Sequence, residues 1–172
     1  KLMIISKVHA LSKGFSGVSL EMIERLILML EKDIIPVVPE QGSVGASGDL
    51  APLSHLVLPL IGLGKVWENE QSVDTLPVLQ KHNLKPLVLG PKEGLGLING
   101  TQFILAHAIK GLEKFEYLLD LADMTAAMSL EAYRGSASPF KKELHEIRPF
   151  GGSVKVAARM RMFLKDSENL KI

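Results

Sequence analysis

The chain has no cysteine. That excludes disulfides and thiolate metal sites outright and fits a reducing, cytoplasmic setting. It also has almost no excess charge: 20 Lys and Arg stand against 19 Asp and Glu, for a net charge of +1. The basic residues are scattered rather than clustered, which argues against nucleic acid as a partner. A long apolar run is missing too. The most apolar stretch, Leu50 to Gly64, is broken by Ser54, His55 and two prolines, and falls short of the roughly 20 residues a membrane span needs. No secretory signal is visible, since Lys1 to Ser6 is too short for an apolar core and no cleavage site follows. The five histidines are His9, His55, His82, His107 and His145. None pairs with another at i+3 or i+4, so no helical metal site is expected.

At 172 residues the chain is long enough for a domain with a real core. It starts inside an apolar run without Met and ends on Leu170-Lys171-Ile172. The expectation is a single central segment, 1–172, of a longer chain. No repeat, low-complexity tract or linker interrupts it.

Periodicity predicts a mainly helical protein. Ser19 is placed to cap a helix to about Lys32, with Ile23, Leu26, Ile27 and Leu30 opposite a polar stripe. Pro36 and Pro39 end it. A short apolar helix is expected over 50–61, with Pro52 in its first turn. A small hairpin is expected at Val66-Trp67 with its turn near Asn69, and a helix over 75–82. The longest element is predicted from Asn99 to about Arg134, opened by an Asn99/Gln102 capping box. Met124 to Leu130 carry no charge, so burial all round is expected there. Such a helix would span roughly 50 Å, more than a compact domain of this size, about 30 Å across, can cover. Other subunits or the rest of a parent chain would cover it. A last helix is expected over 154–164. His55 and His107, both in apolar helices, read as buried, partnered core residues.

The tripeptide Ala46-Ser47-Gly48, inside the run 42–53, is the most informative feature. The Gly48 amide nitrogen can attack the Ala46 carbonyl carbon. Loss of one water closes a five-membered ring, and loss of a second turns the Ser47 side chain into an exocyclic methylene. The product, a methylidene-imidazolone, is electron-poor enough to be attacked by an amine or an aromatic ring. Gly48 offers an unhindered nitrogen and a free backbone, Ala46 adds little bulk, and Ser47 carries the hydroxyl that leaves. Alone, Ala-Ser-Gly is a common tripeptide. Three other chemistries fit less well. A serine hydrolase would need a glycine two residues after Ser47. A dinucleotide loop at 94–99 has Asn99 in place of the third glycine and no βαβ context. No phosphate-binding loop exists, because Gly64-Lys65 is followed by Val66. Asn99 alone reads as a helix cap, and Asp49 as the cap of the helix that follows it, with holding the turn of its own loop as the alternative.

The joint pattern goes further. Ala46 to Leu53 resembles the core motif of the aromatic amino-acid ammonia-lyases and of the aminomutases built on the same ring. Lys13 to Val18 resembles their G-Y-S-G segment, and Lys92 to Gln102 their E-G-L-A-L-I-N-G-T-Q segment. Glu131-Ala132 with Gly135 and Pro139-Phe140 resembles a third. These ordered blocks cover about residues 4–165. Gly45 and Ala51-Pro52-Leu53-Ser54-His55 resemble the bacterial histidine enzymes, whereas Lys7 and His9 stand where the family often has Arg and Asn. Arg148-Pro149-Phe150-Gly151-Gly152-Ser153 departs from the histidine enzymes' R-P-H-P-G-Q.

The resemblance implies a long-helix bundle of the ammonia-lyase (fumarase/aspartase-like) type with a minor hairpin. It implies a 4-methylidene-imidazol-5-one formed autocatalytically from Ala46, Ser47 and Gly48, with no external cofactor and no metal. Asn99 would lie beside the ring and orient its carbonyl or the substrate carboxylate. The expected activity is non-oxidative deamination of an aromatic L-amino acid, histidine to urocanate first, with a phenylalanine or tyrosine lyase or an aminomutase as alternatives. The expected assembly is a homotetramer with shared active sites. The family's base is a tyrosine N-terminal to the tripeptide, but the two tyrosines here, Tyr117 and Tyr133, lie downstream. This chain alone is therefore expected to be inactive. The competing reading is a non-catalytic helical assembly module.

Overall fold

In the computed structural model the described residues are 1–45, 48–148 and 150–170. They form two compact units, Lys1–Lys110 and Gly111–Ile172. The first holds the larger core. Helix α1 (Leu2–Leu11) turns Ile4, Lys7 and Leu11 inward at helical spacing. Helix α2 (Leu20–Glu31) buries Met22, Leu26 and Met29 against it. Each such side chain contributes about 1.5–3 kcal/mol by leaving water. Of the expected face Ile23, Leu26, Ile27 and Leu30, only Leu26 is buried and Ile27 is exposed, because the inner row is set by the two methionines on either side of Leu26. Ser19 sits at the start of α2 as predicted, but its side chain makes no capping bond. Its main-chain N–H instead donates to Glu93 Oε1 at 2.8 Å.

Strand β1 (Ile35–Pro36) then pairs antiparallel with β2 (Lys65–Glu68), and β2 with β3 (Gln71–Asp74). Asn69 and Glu70 both have positive φ, the geometry a two-residue hairpin turn demands. Pro36 is tolerated because β1 is an edge strand. Helix α3 (Leu50–Val57) continues as a 3-10 turn to Ile61, and α4 covers Thr75–Lys81. Their apolar residues Leu53, Leu56, Leu60 and Leu79 complete the core with Val66 and Leu97.

Helix α5 (Glu93–Ile98) and helix α6 (Gln102–Ala132) follow. The sequence reading merged the turn between them into the long helix. Asn99 is the C-cap of α5, with extended backbone (φ −88°, ψ 134°). The first turn of α6 closes by Leu105 N–H on the Thr101 carbonyl. The Asn99/Gln102 capping box therefore does not form. The α1 and α5 helices were not predicted at all. At 31 residues α6 is about 46 Å long.

In the second unit Ala127 of α6 packs with Met160 and Leu164, joined by Leu130, Ala137, Phe140 and Leu170. A 3-10 turn over Ser138–Phe140 leads to α7 (Lys142–Ile147), then α8 (Gly151–Phe163). The last helix begins at Gly151, three residues earlier than predicted. Arg159 on α8 grips Asp120 and Asp123 of α6 at 2.5 and 2.7 Å. Burial all round at Met124–Leu130 is not found: Met124 is 45 % and Met128 69 % exposed. Ala127 alone in that stretch is buried, because one neighbouring helix covers one stripe. His55 and His107 are likewise exposed rather than buried. His107 Nδ1 lies 3.0 Å from the Phe103 carbonyl, and its ring stands against that of Phe103. Among the described residues, no helix is long and apolar enough to cross a membrane, and no group of three or more His, Asp or Glu could hold a metal.

Candidate active site

The loop from Pro39 to Asp49 ends against the turn that joins α5 to α6. Ala46 and Ser47 lie outside the described residues, so the geometry rests on Gly48, Asp49 and their neighbours. Gly48 has φ +132°, a conformation L side chains rarely adopt. A Cβ placed there would lie 2.8 Å from Asn99 Oδ1 and 3.1 Å from both the N and O of Gly100. Only glycine brings the loop this close to that turn. The carboxamide of Asn99 therefore sits directly over the Gly48 backbone, while Asn99 itself is exposed on its outer side.

Asp49 fixes this approach. It is wholly buried, and its N–H donates to the Gly100 carbonyl at 2.7 Å. One carboxylate oxygen accepts the N–H groups of Phe103 and Ile104 at 3.0 and 3.1 Å. The other accepts the Ser43 hydroxyl at 2.5 Å. Asp49 was expected to cap α3, but its side chain makes no bond there. It caps α6 instead, from 54 residues away. The first amides of a helix are orphan donors at the positive end of its dipole, and a carboxylate satisfies both needs. The expectation that the long helix opens at Asn99 is thereby corrected. Asn99 precedes α6, and the chain's own Asp49 takes two of those amides.

Two further groups complete the setting. Gln102 is nine-tenths buried, and its Oε1 has no hydrogen-bond donor among the described residues. That oxygen lies so close to Gly100 (φ +145°) that a Cβ there would overlap it. Lys7, only 2 % exposed, donates from Nζ to the Asn99 carbonyl at 2.6 Å. Burial lowers the Lys7 pKa to about 8. Sequence reading noted Lys7 only as a departure from the family pattern. The available signal was its place in the Ile4, Lys7, Leu11 row of an unrecognised helix.

Behind the turn, α5 is anchored by Glu93. Its carboxylate accepts the Ser19 and Gly90 N–H groups, and the bonds to Ser19 and Gly90 hold its pKa below the ordinary 4.5. Glu93 so ties the segment ending in Asn99 to the start of α2. Tyr117 and Tyr133, the two tyrosines, are 64 % and 89 % exposed in the second unit.

These features define a mainly helical protein with a glycine-bearing loop pressed onto a helix-joining turn and locked there by one buried carboxylate. The family model for aromatic amino acid lyases matches residues 1–171. The chain belongs to the aromatic amino acid lyase family. It is 44 % identical to histidine ammonia-lyase of Homo sapiens over 170 residues, which is 98 % of this chain and 26 % of that protein. It is also 44 % identical to histidine ammonia-lyase of Myxococcus xanthus, covering 98 % of this chain and 33 % of that one. Among solved structures, tyrosine aminomutase from Streptomyces globisporus superposes with a TM-score of 0.90 at 38 % identity, over 99 % of this chain and 32 % of that one. The chain thus spans about a quarter to a third of the length of the relatives it matches. Its fold is that of the ammonia-lyases and aminomutases.

Proposed function

We propose that the protein carrying this chain is a carbon-nitrogen lyase that deaminates an aromatic L-amino acid, histidine to urocanate first. Its electrophile would be a methylidene-imidazolone made from Ala46, Ser47 and Gly48. The observation that carries this reading is the approach of Gly48 to Asn99 and Gly100, 2.8–3.1 Å from an absent Cβ. The residues present fit such a ring. Gly48 leaves its nitrogen unhindered, and the Asn99 carboxamide that stands over it carries donors for a ring that has acceptors only.

Such a ring, held by the 46–48 loop under Asn99, would supply an electrophile for the substrate's α-amino group or its aromatic ring. The chain's own residues do the rest. The Asn99 carboxamide can both donate and accept, so it orients a carbonyl or a carboxylate at the exposed face of the turn. Asp49 holds the loop on that turn and neutralises the start of α6. In this reading the proton-abstracting base comes from outside these 172 residues, and active sites are completed by other subunits of a homotetramer in the cytoplasm. The similarity to histidine ammonia-lyases favours histidine; the superposition on a tyrosine aminomutase favours tyrosine or phenylalanine lyase or mutase chemistry as the second reading.

The test is Ser47→Ala in the full-length protein. The lyase reading expects the wild-type chain to have lost two waters, localised to the peptide holding 46–48, and Ser47→Ala to abolish both that loss and ammonia release. A silent Ser47→Ala would leave the assembly-module reading. Urocanate, cinnamate-type or β-amino acid products then separate the substrate classes. The isolated 172-residue chain should release negligible ammonia; turnover of roughly 1 s⁻¹ or more would overturn that.

A further inference from the structure

An ammonium buried among Ile4, Leu11 and their neighbours is costly to a fold. Desolvation is the sole cause of its lowered pKa, so among the described residues no carboxylate compensates it. A methionine would fill the same space without that cost. What the ammonium does is reach across 92 residues of sequence to one acceptor, the Asn99 carbonyl. That carbonyl belongs to the peptide joining Asn99 to Gly100. The front of the same turn carries Asn99 Oδ1 over Gly48 and receives the Asp49 N–H on Gly100 O. The loop thus holds the turn at Asn99 Oδ1 and Gly100, and Lys7 holds it at the Asn99 carbonyl. Without Lys7 the carbonyl that leaves α5 loses its donor, and Gly100, with its wide backbone freedom, is free to reorient.

We propose that Lys7 is a positioning residue for ring formation, holding the Asn99–Gly100 turn against Gly48. The inference rests on the ring reading above. Ring closure forms a bond between the Gly48 nitrogen and the Ala46 carbonyl carbon. The former carbonyl oxygen leaves as water with the amide hydrogens of Gly48 and Ser47. The Ser47 hydroxyl leaves with its α-hydrogen as the second water. No oxidant or reductant is needed. The step depends on holding two backbone groups in near-attack geometry, which is where a rigid backstop accelerates a reaction.

The experiment follows the loss of two waters with time by intact mass, in the full-length protein, for wild type, Lys7→Met, Lys7→Arg, Asn99→Ala and the Lys7→Met/Asn99→Ala pair. A thermal melt of each checks folding. Lys7→Met is expected to fold at least as stably as wild type yet dehydrate about tenfold slower or worse, the size of a charge-assisted hydrogen bond. Lys7→Arg, which keeps a donor, should restore the rate. In the Asn99→Ala background Lys7→Met should add nothing, because both act through one turn. Folded Lys7→Met dehydrating at the wild-type rate would overturn the inference, as would independent, multiplying effects of the two substitutions. Should Lys7→Met not fold, Lys7→Arg decides. A folded protein at the wild-type rate supports the role, while one that keeps its waters or does not fold refutes it. A wild-type chain that never loses two waters would sink the ring reading itself and not the Lys7 contact.

Discussion

Asp49 offers the sharpest test of how the loop is held. Removing its carboxylate by Asp49→Ala strips acceptors from the Phe103 and Ile104 amides and from the Ser43 hydroxyl. A hydrogen bond to a charged group is worth about 1.5–3 kcal/mol, and a carboxylate at a helix N-terminus adds about 0.3–1 kcal/mol. The terms do not simply add, since Ile104 is exposed enough for water to replace its lost partner. The expected cost of Asp49→Ala is therefore about 3 kcal/mol. Asp49→Asn differs in an informative way. Its amide oxygen can keep both main-chain donors, and its NH₂ can face Ser43, whose hydroxyl is free to turn and accept. Only the charge is lost, for about 1 kcal/mol. For a protein of this size each kcal/mol moves the melting midpoint by about 2–4 °C. Asp49→Ala should thus melt roughly 6–12 °C lower, and Asp49→Asn only about 2–4 °C lower. Hydrogen exchange locates the effect: the Phe103 and Ile104 amides should lose protection in Asp49→Ala and keep most of it in Asp49→Asn. If the two variants melt alike, or if Asp49→Ala costs less than about 1 kcal/mol, Asp49 is not the cap of α6 in solution.

Other outcomes follow from the same contacts. Gly48→Ala would place a methyl 2.8 Å from Asn99 Oδ1 at φ +132°; it should cost about 1–3 kcal/mol, seen by urea titration, and leave the intact mass without the loss of two waters. The Lys7 pKa falls from 10.5 to about 8 on folding, so between those values the unfolded chain binds more protons. Stability should then rise as pH climbs from about 8 towards 10.5; Lys7→Met should flatten that rise, and an unchanged profile would show Lys7 to be solvated. Glu93 acts with the same sign in an acid window: its folded pKa lies below the ordinary 4.5, so its contribution is complete above that value and is lost as pH falls through the folded pKa. Glu93→Gln should therefore narrow the stability difference between neutral and acid pH, measured by thermal melts across that range.

The fold was legible wherever a local pattern and its consequence coincide. The existence of α2 and the hairpin with its turn at Asn69 both follow from short-range chemistry. Legibility failed where the pattern was mixed. In α1 the apolar row Ile4, Leu11 is interrupted by Lys7, and a lysine on the inner face masks the period. In α5 the glycines Gly94 and Gly96 suppress helix propensity. Gly96 is nonetheless needed there, because a Cβ on it would lie 2.6 Å from Val18 Cγ2. Tertiary packing outweighs propensity in both helices, and no window of sequence carries that information.

The site shows the same division more sharply. Ala46, Ser47 and Gly48 became candidates through residue types in order, because the chemistry of ring closure is itself local, whereas Asn99 became one only through the resemblance of 92–102 to a family segment. What sequence left open was the partner of each polar group. Asp49 stands one residue before α3, and a short-range rule assigns it to that helix. Yet α3 has Pro52 near its start, which has no N–H to satisfy, whereas α6 begins with free amides after a turn that Gly100 bends sharply. A carboxylate goes to the helix end with more orphan donors, here 54 residues on. Asp49 thereby closes a loop in the chain between the tripeptide and the turn bearing Asn99. The arrangement explains why the residues of two separate motifs must be present together. Asp49 meets the α6 amides where Gly48 meets Asn99, and those amides gain their carboxylate acceptor only when the loop comes in.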